Sequence, residues 1–203
     1  MRLARAFFPI AVLAFAGVMS ACSSTPEKVL PDVTGDTDIS VSWRTSLGEG
    51  PGVTFTRLKA AVGDGVVYAA DTGGQVSAIN LESGRHEWSV DLEQTILGGV
   101  ALAGDQLFVS LREGSLVALS TDNGEELWRS MLPSEAVAMA SADEQRVFVQ
   151  TVDGRVTALE REDGKQAWSY EAGMPVLSIR GTGAPLVLER LVLTGFATGK
   201  LVA

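Results

Sequence analysis

The chain has 203 residues, enough for one domain with a real core, and sets 16 Lys and Arg against 25 Asp and Glu, a formal charge of -9. An acidic chain with no basic stripe is excluded as a nucleic-acid binder, because phosphates would repel it. Its single cysteine and single histidine exclude an intramolecular disulfide and a two-histidine metal site.

Residues 1–21 read as a secretory signal. Arg2 and Arg5 give a positive start, Ala6 to Met19 is a continuous apolar run, and the small residues Ser20 and Ala21 precede Cys22. The alternative is a membrane-spanning helix, for which the run is short, since a span needs roughly 20 apolar residues. "VMSAC" resembles the bacterial lipobox, whose cysteine becomes the lipidated N-terminus, although Met19 stands where Leu, Val or Ile is usual. Stable anchoring needs more than one acyl chain, each buried methylene contributing about 0.8 kcal/mol. A diacylated and N-acylated Cys22 would meet that need; the alternative is a free thiol. Ser23 follows where the sorting rules would place Asp for the inner membrane, so the resemblance implies the outer membrane, periplasmic face. Removing residues 1–21 removes two arginines and no acid. Residues 22–38 are polar, with two prolines and no sustained period, and read as a flexible tether after the lipid.

Residues 39–203 repeat themselves. "GGQVSAINLESGRHEW", "EGSLVALSTDNGEELW" and "DGRVTALEREDGKQAW" align without gaps, placing Trp88, Trp128 and Trp168 at intervals of 40. Gly84, Gly124 and Gly164 keep that interval, as do Gly74, Gly114 and Gly154. "ISVSWRTSLG" carries Trp43, 45 residues before Trp88, and "TGKLVA" begins a fourth copy. In the third copy "VAMAS", "RVFVQT", "RVTALE" and "KQAWSY" read as four short strands. Asp-Gly pairs separate the later ones, where glycine takes a positive φ cheaply. Val, Phe, Thr and Tyr suit a half-buried pleated surface. No amphipathic helix is expected after the signal.

Four antiparallel strands per 40–45 residues is the pattern of a β-propeller blade, which must stack on its neighbours to bury both faces. Trp43 is expected on the outermost strand of a blade whose other strands lie elsewhere in the ring. Ala203 falls inside the third strand of the fourth copy. A propeller closes with about 4–8 blades, so the expectation is a sequence lacking its C-terminal half. Alone, it would expose apolar blade faces and a strand edge, favouring aggregation. The tryptophans read as wedges between blades.

"ALSTDNGEELW" and "ALEREDGKQAW" resemble the tryptophan repeat of pyrroloquinoline-quinone enzymes, which makes a PQQ-dependent dehydrogenase one alternative. The adjacent cysteine pair of those enzymes is missing. His86, two residues before Trp88, reads as a strand residue, and no G-x-S-x-G elbow occurs. "GDGVVYAADTGGQ" precedes strands and so cradles no phosphate. Asp122, Glu162 and Asp163 read as solvated turn residues. Neither enzymatic activity nor a cofactor or metal is expected. A periplasmic propeller binding peptide or sugar in its channel is a further alternative.

"MPVLSIRGTGAP", Met174 to Pro185, interrupts the period. Trp128 to Val147 spans 19 residues, whereas Trp168 to the matching Val192 spans 24. The extra five fall between the outer strand of one blade and the inner strand of the next, on a rim where binding loops gather. Leu177 and Ile179 can present two apolar side chains and Arg180 a planar fork, a plausible hot spot. The residues equally allow Leu177 and Ile179 to tuck under the loop.

The order of lipobox, polar tether, "VSWRTSLGEG", repeats and "MPVLSIRG" resembles the BamB family, the propeller lipoproteins of the outer-membrane β-barrel assembly (BAM) machinery. That resemblance implies an eight-bladed, non-catalytic ring. It implies binding to the periplasmic (POTRA) domains of BamA and assistance to the insertion of unfolded outer-membrane proteins. It places Leu177, Ile179 and Arg180 at the BamA contact, with Ile179 where Leu is familiar.

Overall fold

Hairpin turns with glycine at positive φ, flanked by runs of β-branched and aromatic residues, produce a succession of antiparallel meanders. A computed structural model describes residues 40–50, 58–175 and 181–203. The chain divides into Met1–Ser40 and Val41–Ala203. Only Ser40 of the first unit is described, and every element below belongs to the second. The expected signal, Cys22 and the tether lie outside the described residues.

The first blade comprises β1 (Ala61–Gly63), β2 (Val66–Ala70), β3 (Gln75–Asn80) and β4 (His86–Asp91). The second comprises β5 (Ala101–Ala103), β6 (Gln106–Leu111), β7 (Ser115–Ser120) and β8 (Glu126–Met131). The third comprises β9 (Ser141–Ala142), β10 (Arg146–Gln150), β11 (Arg155–Glu160) and β12 (Gln166–Glu171). A fourth sheet holds β13 (Leu186–Leu188), β14 (Leu191–Gly195) and β15 (Leu201–Val202). In every sheet the strands pair in chain order, and the described residues contain no helix. The architecture is all-β, a β-propeller built of four-stranded blades, as the 40-residue period requires.

The middle strands of blade two are buried on both faces because that blade is packed between blades one and three. Tyr68, Val76 and Ala78 of blade one form one core with Leu107, Val109, Val117 and Leu119 of blade two. Phe108, Leu116, Ala118 and Trp128 form the next with Val147, Val149 and Leu159 of blade three. Apolar side chains removed from water by this stacking supply the main driving force.

Two strand expectations need correction. "VAMAS" was expected to be the inner strand of blade three, but pairing begins only at Ser141, with Ser141 opposite Phe148 and Ala142 opposite Val147. Ala136, Ala138 and Ala140 are buried, so their alternation reflects a connecting segment laid against the core without a ladder partner. The segment around Trp43 was expected to be a strand, yet Val41–Leu47 is assigned to none. Among the described residues its backbone joins no ladder, and side chains and turns hold it. Trp43 Nε1 donates to Leu81 O at 2.8 Å. Thr45 Oγ1 lies 3.1 Å from His86 Nε2. Asp71, 2% exposed, accepts the Glu49 N–H at 2.7 Å and those of Gly74 and Gln75 at 3.0 and 2.8 Å.

Antiparallel meanders sort their connections onto two faces. On one, the two hairpins of each blade meet: Leu81 N donates to Gly65 O, Thr121 N to Asp105 O and Arg161 N to Gln145 O. The opposite face carries the β2–β3-type turns and the connections from one blade to the next.

Candidate docking site

The joints between blades are built on the repeated tryptophan. Trp88 Nε1 donates to Thr121 O and Trp128 Nε1 to Arg161 O, both at 2.8 Å and both 33 residues on. Each ring lies flat against the turn glycine of the following blade. A Cβ on Gly84 would stand 2.6 Å from the Trp43 ring, on Gly124 2.7 Å from Trp88, and on Gly164 2.5 Å from Trp128. Behind each indole sits an aromatic of its own blade: Tyr68, Phe108 and Phe148 lie 6.1, 5.8 and 5.9 Å from Trp88, Trp128 and Trp168. At Trp43, Trp88 and Trp128 the contact has one form, a ring on a glycine and an indole N–H on a carbonyl. Trp168 occupies the same register opposite Ala158 and is 37% exposed.

On the opposite face, two successive inter-blade connections are fastened alike. Arg112 N donates to Thr95 O at 2.8 Å and Val152 N to Glu135 O at 2.9 Å. Each rung stitches the connection to the turn after the second strand of the next blade. The third connection differs. It runs from β12 to β13 over residues 172–185, five residues longer than its two predecessors. The residues in the same phase are Pro175 and Ala197, and no rung joins them among the described residues. A cleft of about 190 Å³ occupies this joint, lined by Gln150, Val152, Met174, Thr182, Phe196 and Ala197, with glycines between them. Leu177, Ile179 and Arg180 lie outside the described residues, between Pro175 and Gly181. The described flanks of the motif therefore border the cleft.

One residue that pattern reading passed over holds the opposite face together. The Arg161 guanidinium donates to Ala103 O at 2.9 Å, Gln106 Oε1 at 3.2 Å and Asp143 O at 3.2 Å. It also pairs with Asp105 at 3.3 Å. It spans blades two and three where Leu81 and Thr121 stand in the earlier copies, and that departure from the repeat was the available signal. Arg161→Ala should destabilise the protein by about 2 kcal/mol, because several carbonyls lose a charged donor. Arg161→Lys should recover less than half, since an ammonium cannot reproduce the planar fork. Urea unfolding of both variants checks this.

The groups with shifted titration are structural. Burial raises the Tyr68 phenol, with the Glu87 charge adding to it. The hydrogen bond from Arg129 holds the Glu126 carboxyl low, and that from Lys165 does the same for exposed Asp163. His86 lies exposed at the Thr45 contact. Asp163 and Asp122 sit in hairpin turns, where Asp163 Oδ1 accepts the Lys165 N–H and the Asp122 N–H donates to Ser120 Oγ.

Comparison with known proteins agrees with this construction. The family model described as "Outer membrane protein assembly factor BamB" matches residues 36–98 and 72–203. The BamB of Pseudomonas aeruginosa is 54% identical over 198 residues, 95% of this chain and 52% of that protein. The BamB of Legionella pneumophila is 50% identical over 182 residues, 89% of this chain and 47% of that protein. The crystal structure of BamB from Moraxella catarrhalis superposes with a TM-score of 0.68 at 30% identity, covering 73% of this chain and 45% of that one. The chain spans about half the length of the curated relatives it matches. With the repeat, the wedged blades and the family model in agreement along most of its length, the chain belongs to the BamB family of outer-membrane protein assembly factors.

Proposed function

We propose that the protein is a non-catalytic scaffold of the BAM machinery, anchored by an acylated Cys22 to the periplasmic face of the outer membrane. In this reading its third inter-blade connection docks the periplasmic POTRA domains of BamA, and the docked scaffold assists insertion of outer-membrane proteins. Family membership supports the assembly role. The observation that carries the docking reading is the third connection itself. Two earlier connections are equal in length and share one rung, whereas this one is longer and shows no such rung among the described residues. A longer connection on the rim of a stack of blades provides a place for a partner without disturbing the core.

Leu177, Ile179 and Arg180 are the contact residues of this reading, two apolar anchors beside a bidentate donor. Counted from the preceding tryptophan, Leu177 stands where Leu97 and Val137 stand, one buried and one half-buried. Leu177→Ala therefore probes packing as well as docking, and Arg180→Ala isolates docking. In the full-length protein, Arg180→Ala should weaken capture of the BamA periplasmic domains by about tenfold or more with its melting temperature unchanged. Undiminished capture by the Leu177→Ala/Arg180→Ala double variant would overturn the assignment. Loss of soluble protein on Leu177→Ala alone would assign that residue to the core.

A further inference from the structure

The β7–β8 turn of blade two contains an Asn-Gly pair, Asn123–Gly124, in the phase that Ser83–Gly84 and Asp163–Gly164 hold in the blades on either side. Asn-Gly is especially open to loss of the side-chain amide, because glycine has no Cβ to keep its nitrogen away from the neighbouring side-chain carbonyl. The reaction forms a bond from Gly124 N to Asn123 Cγ and breaks the Cγ–Nδ2 bond, releasing ammonia. Water then opens the cyclic imide at one carbonyl or the other. One opening gives aspartate. The other gives isoaspartate, whose main chain is longer by a methylene.

The electrophile is accessible and polarised. Asn123 is exposed, and its Oδ1 accepts the Glu125 N–H at 3.1 Å. The nucleophile is held. Gly124 N donates to Ser120 O at 3.0 Å, inside a loop closed by Ser120 N donating to Glu125 O at 2.9 Å. Gly124 is buried because the Trp88 ring lies over it, 2.7 Å from where a Cβ would stand. The same indole donates to Thr121 O at 2.8 Å, so Trp88 grips the turn at both ends. Tyr68, 6.1 Å away, backs the ring. While the turn is seated on blade one, Gly124 N keeps its proton on Ser120 O, and the main chain is not free to rotate into the geometry of the imide.

We infer that Asn123 is a deamidation site gated by the Trp88 wedge, silent while blades one and two are joined and reactive when the joint opens. The two products have different fates. Asp163 shows that an aspartate fits the turn, its Oδ1 accepting the Lys165 N–H at 3.0 Å as Asn123 Oδ1 accepts that of Glu125. Isoaspartate does not fit. Its added methylene displaces Gly124 against an indole that leaves no room for a carbon atom. A joint that has opened and reacted this way recloses poorly.

Peptide mass spectrometry of the full-length protein at mildly alkaline pH tests this, reading conversion of the Asn123 amide to a carboxyl. The native wild type should convert at least about tenfold more slowly than the same protein unfolded in urea, because reaction must wait for opening. Trp88→Ala should raise the rate under native conditions by about tenfold or more. Equal rates in folded and unfolded protein would show that the turn gives no protection. An unaccelerated Trp88→Ala would show that the wedge is not the gate. Either result overturns the inference. Should Trp88→Ala fail to fold, the wild type in urea below its transition decides: conversion rising in step with Gly124 amide exchange supports the gate, and conversion indifferent to that exchange overturns it.

Discussion

Trp128→Ala should cost the full-length protein about 3–5 kcal/mol, the range for deleting a large buried aromatic. The ring is 8% exposed, packs on Phe108, lies across Gly164 and donates to Arg161 O. Its loss removes apolar contact on both sides of the blade boundary and leaves a carbonyl unpaired. Trp128→Phe keeps most of the ring and gives up the N–H, so it should cost nearer 1–2 kcal/mol. Urea midpoints for the two variants measure the difference. Equal destabilisation would mean that the hydrogen bond, and not the ring area, dominates the joint.

Gly164→Ala should be nearly as damaging through a different cause. Gly164 has a φ of 70°, where an L side chain costs about 1–2 kcal/mol. Its Cβ would also stand 2.5 Å from the Trp128 ring and 2.5 Å from Ser130 Oγ. Overpacking adds about 1–3 kcal/mol, since the ring is fixed by Phe108 and cannot swing away. Gly65 separates the two contributions. Its φ is 77°, yet nothing lies within 4 Å of a Cβ there. Gly65→Ala should therefore show the backbone penalty alone, about 1–2 kcal/mol. If both glycine variants unfold at the same urea concentration, the close contact between turn and indole is unimportant and the wedge account fails.

Much of this architecture was readable before any coordinates, for identifiable reasons. A 40-residue period with tryptophan and glycine in fixed phase leaves few ways to pack, and "RVTALE" is strand β11 residue for residue. The third-strand to fourth-strand turns were legible because Asp-Gly and Asn-Gly encode positive φ locally. The inner strands were not. "VAMAS" alternates like a strand because every second residue, an alanine, faces the core, and burial without a ladder partner produces the same alternation. Arg161 and Asp71 were illegible for another reason. Arg161 departs visibly from the repeat, but no local pattern encodes which distant carbonyls arrive beside it; Asp71 binds its own turn at Gly74 and Gln75, and only the Glu49 N–H reaches it from far in sequence. The unequal spacing around Met174–Pro185 was visible as a count, but the rungs at the two preceding joints, and the lack of one among the described residues at the third, emerge only once the joints can be compared in three dimensions.

That comparison also separates the roles of the two faces. The hairpin face is closed, with a tryptophan on each turn and Arg161 across one joint. On the connection face two joints carry a backbone rung, and among the described residues the third carries none. Hydrogen–deuterium exchange on the full-length protein, with and without the BamA periplasmic domains, tests this directly. Slowed exchange concentrated in Met174–Gly183 and Phe196–Gly199 is the predicted result. Slowing confined to the opposite face, at the turns ending in Gly84, Gly124 and Gly164, would contradict it.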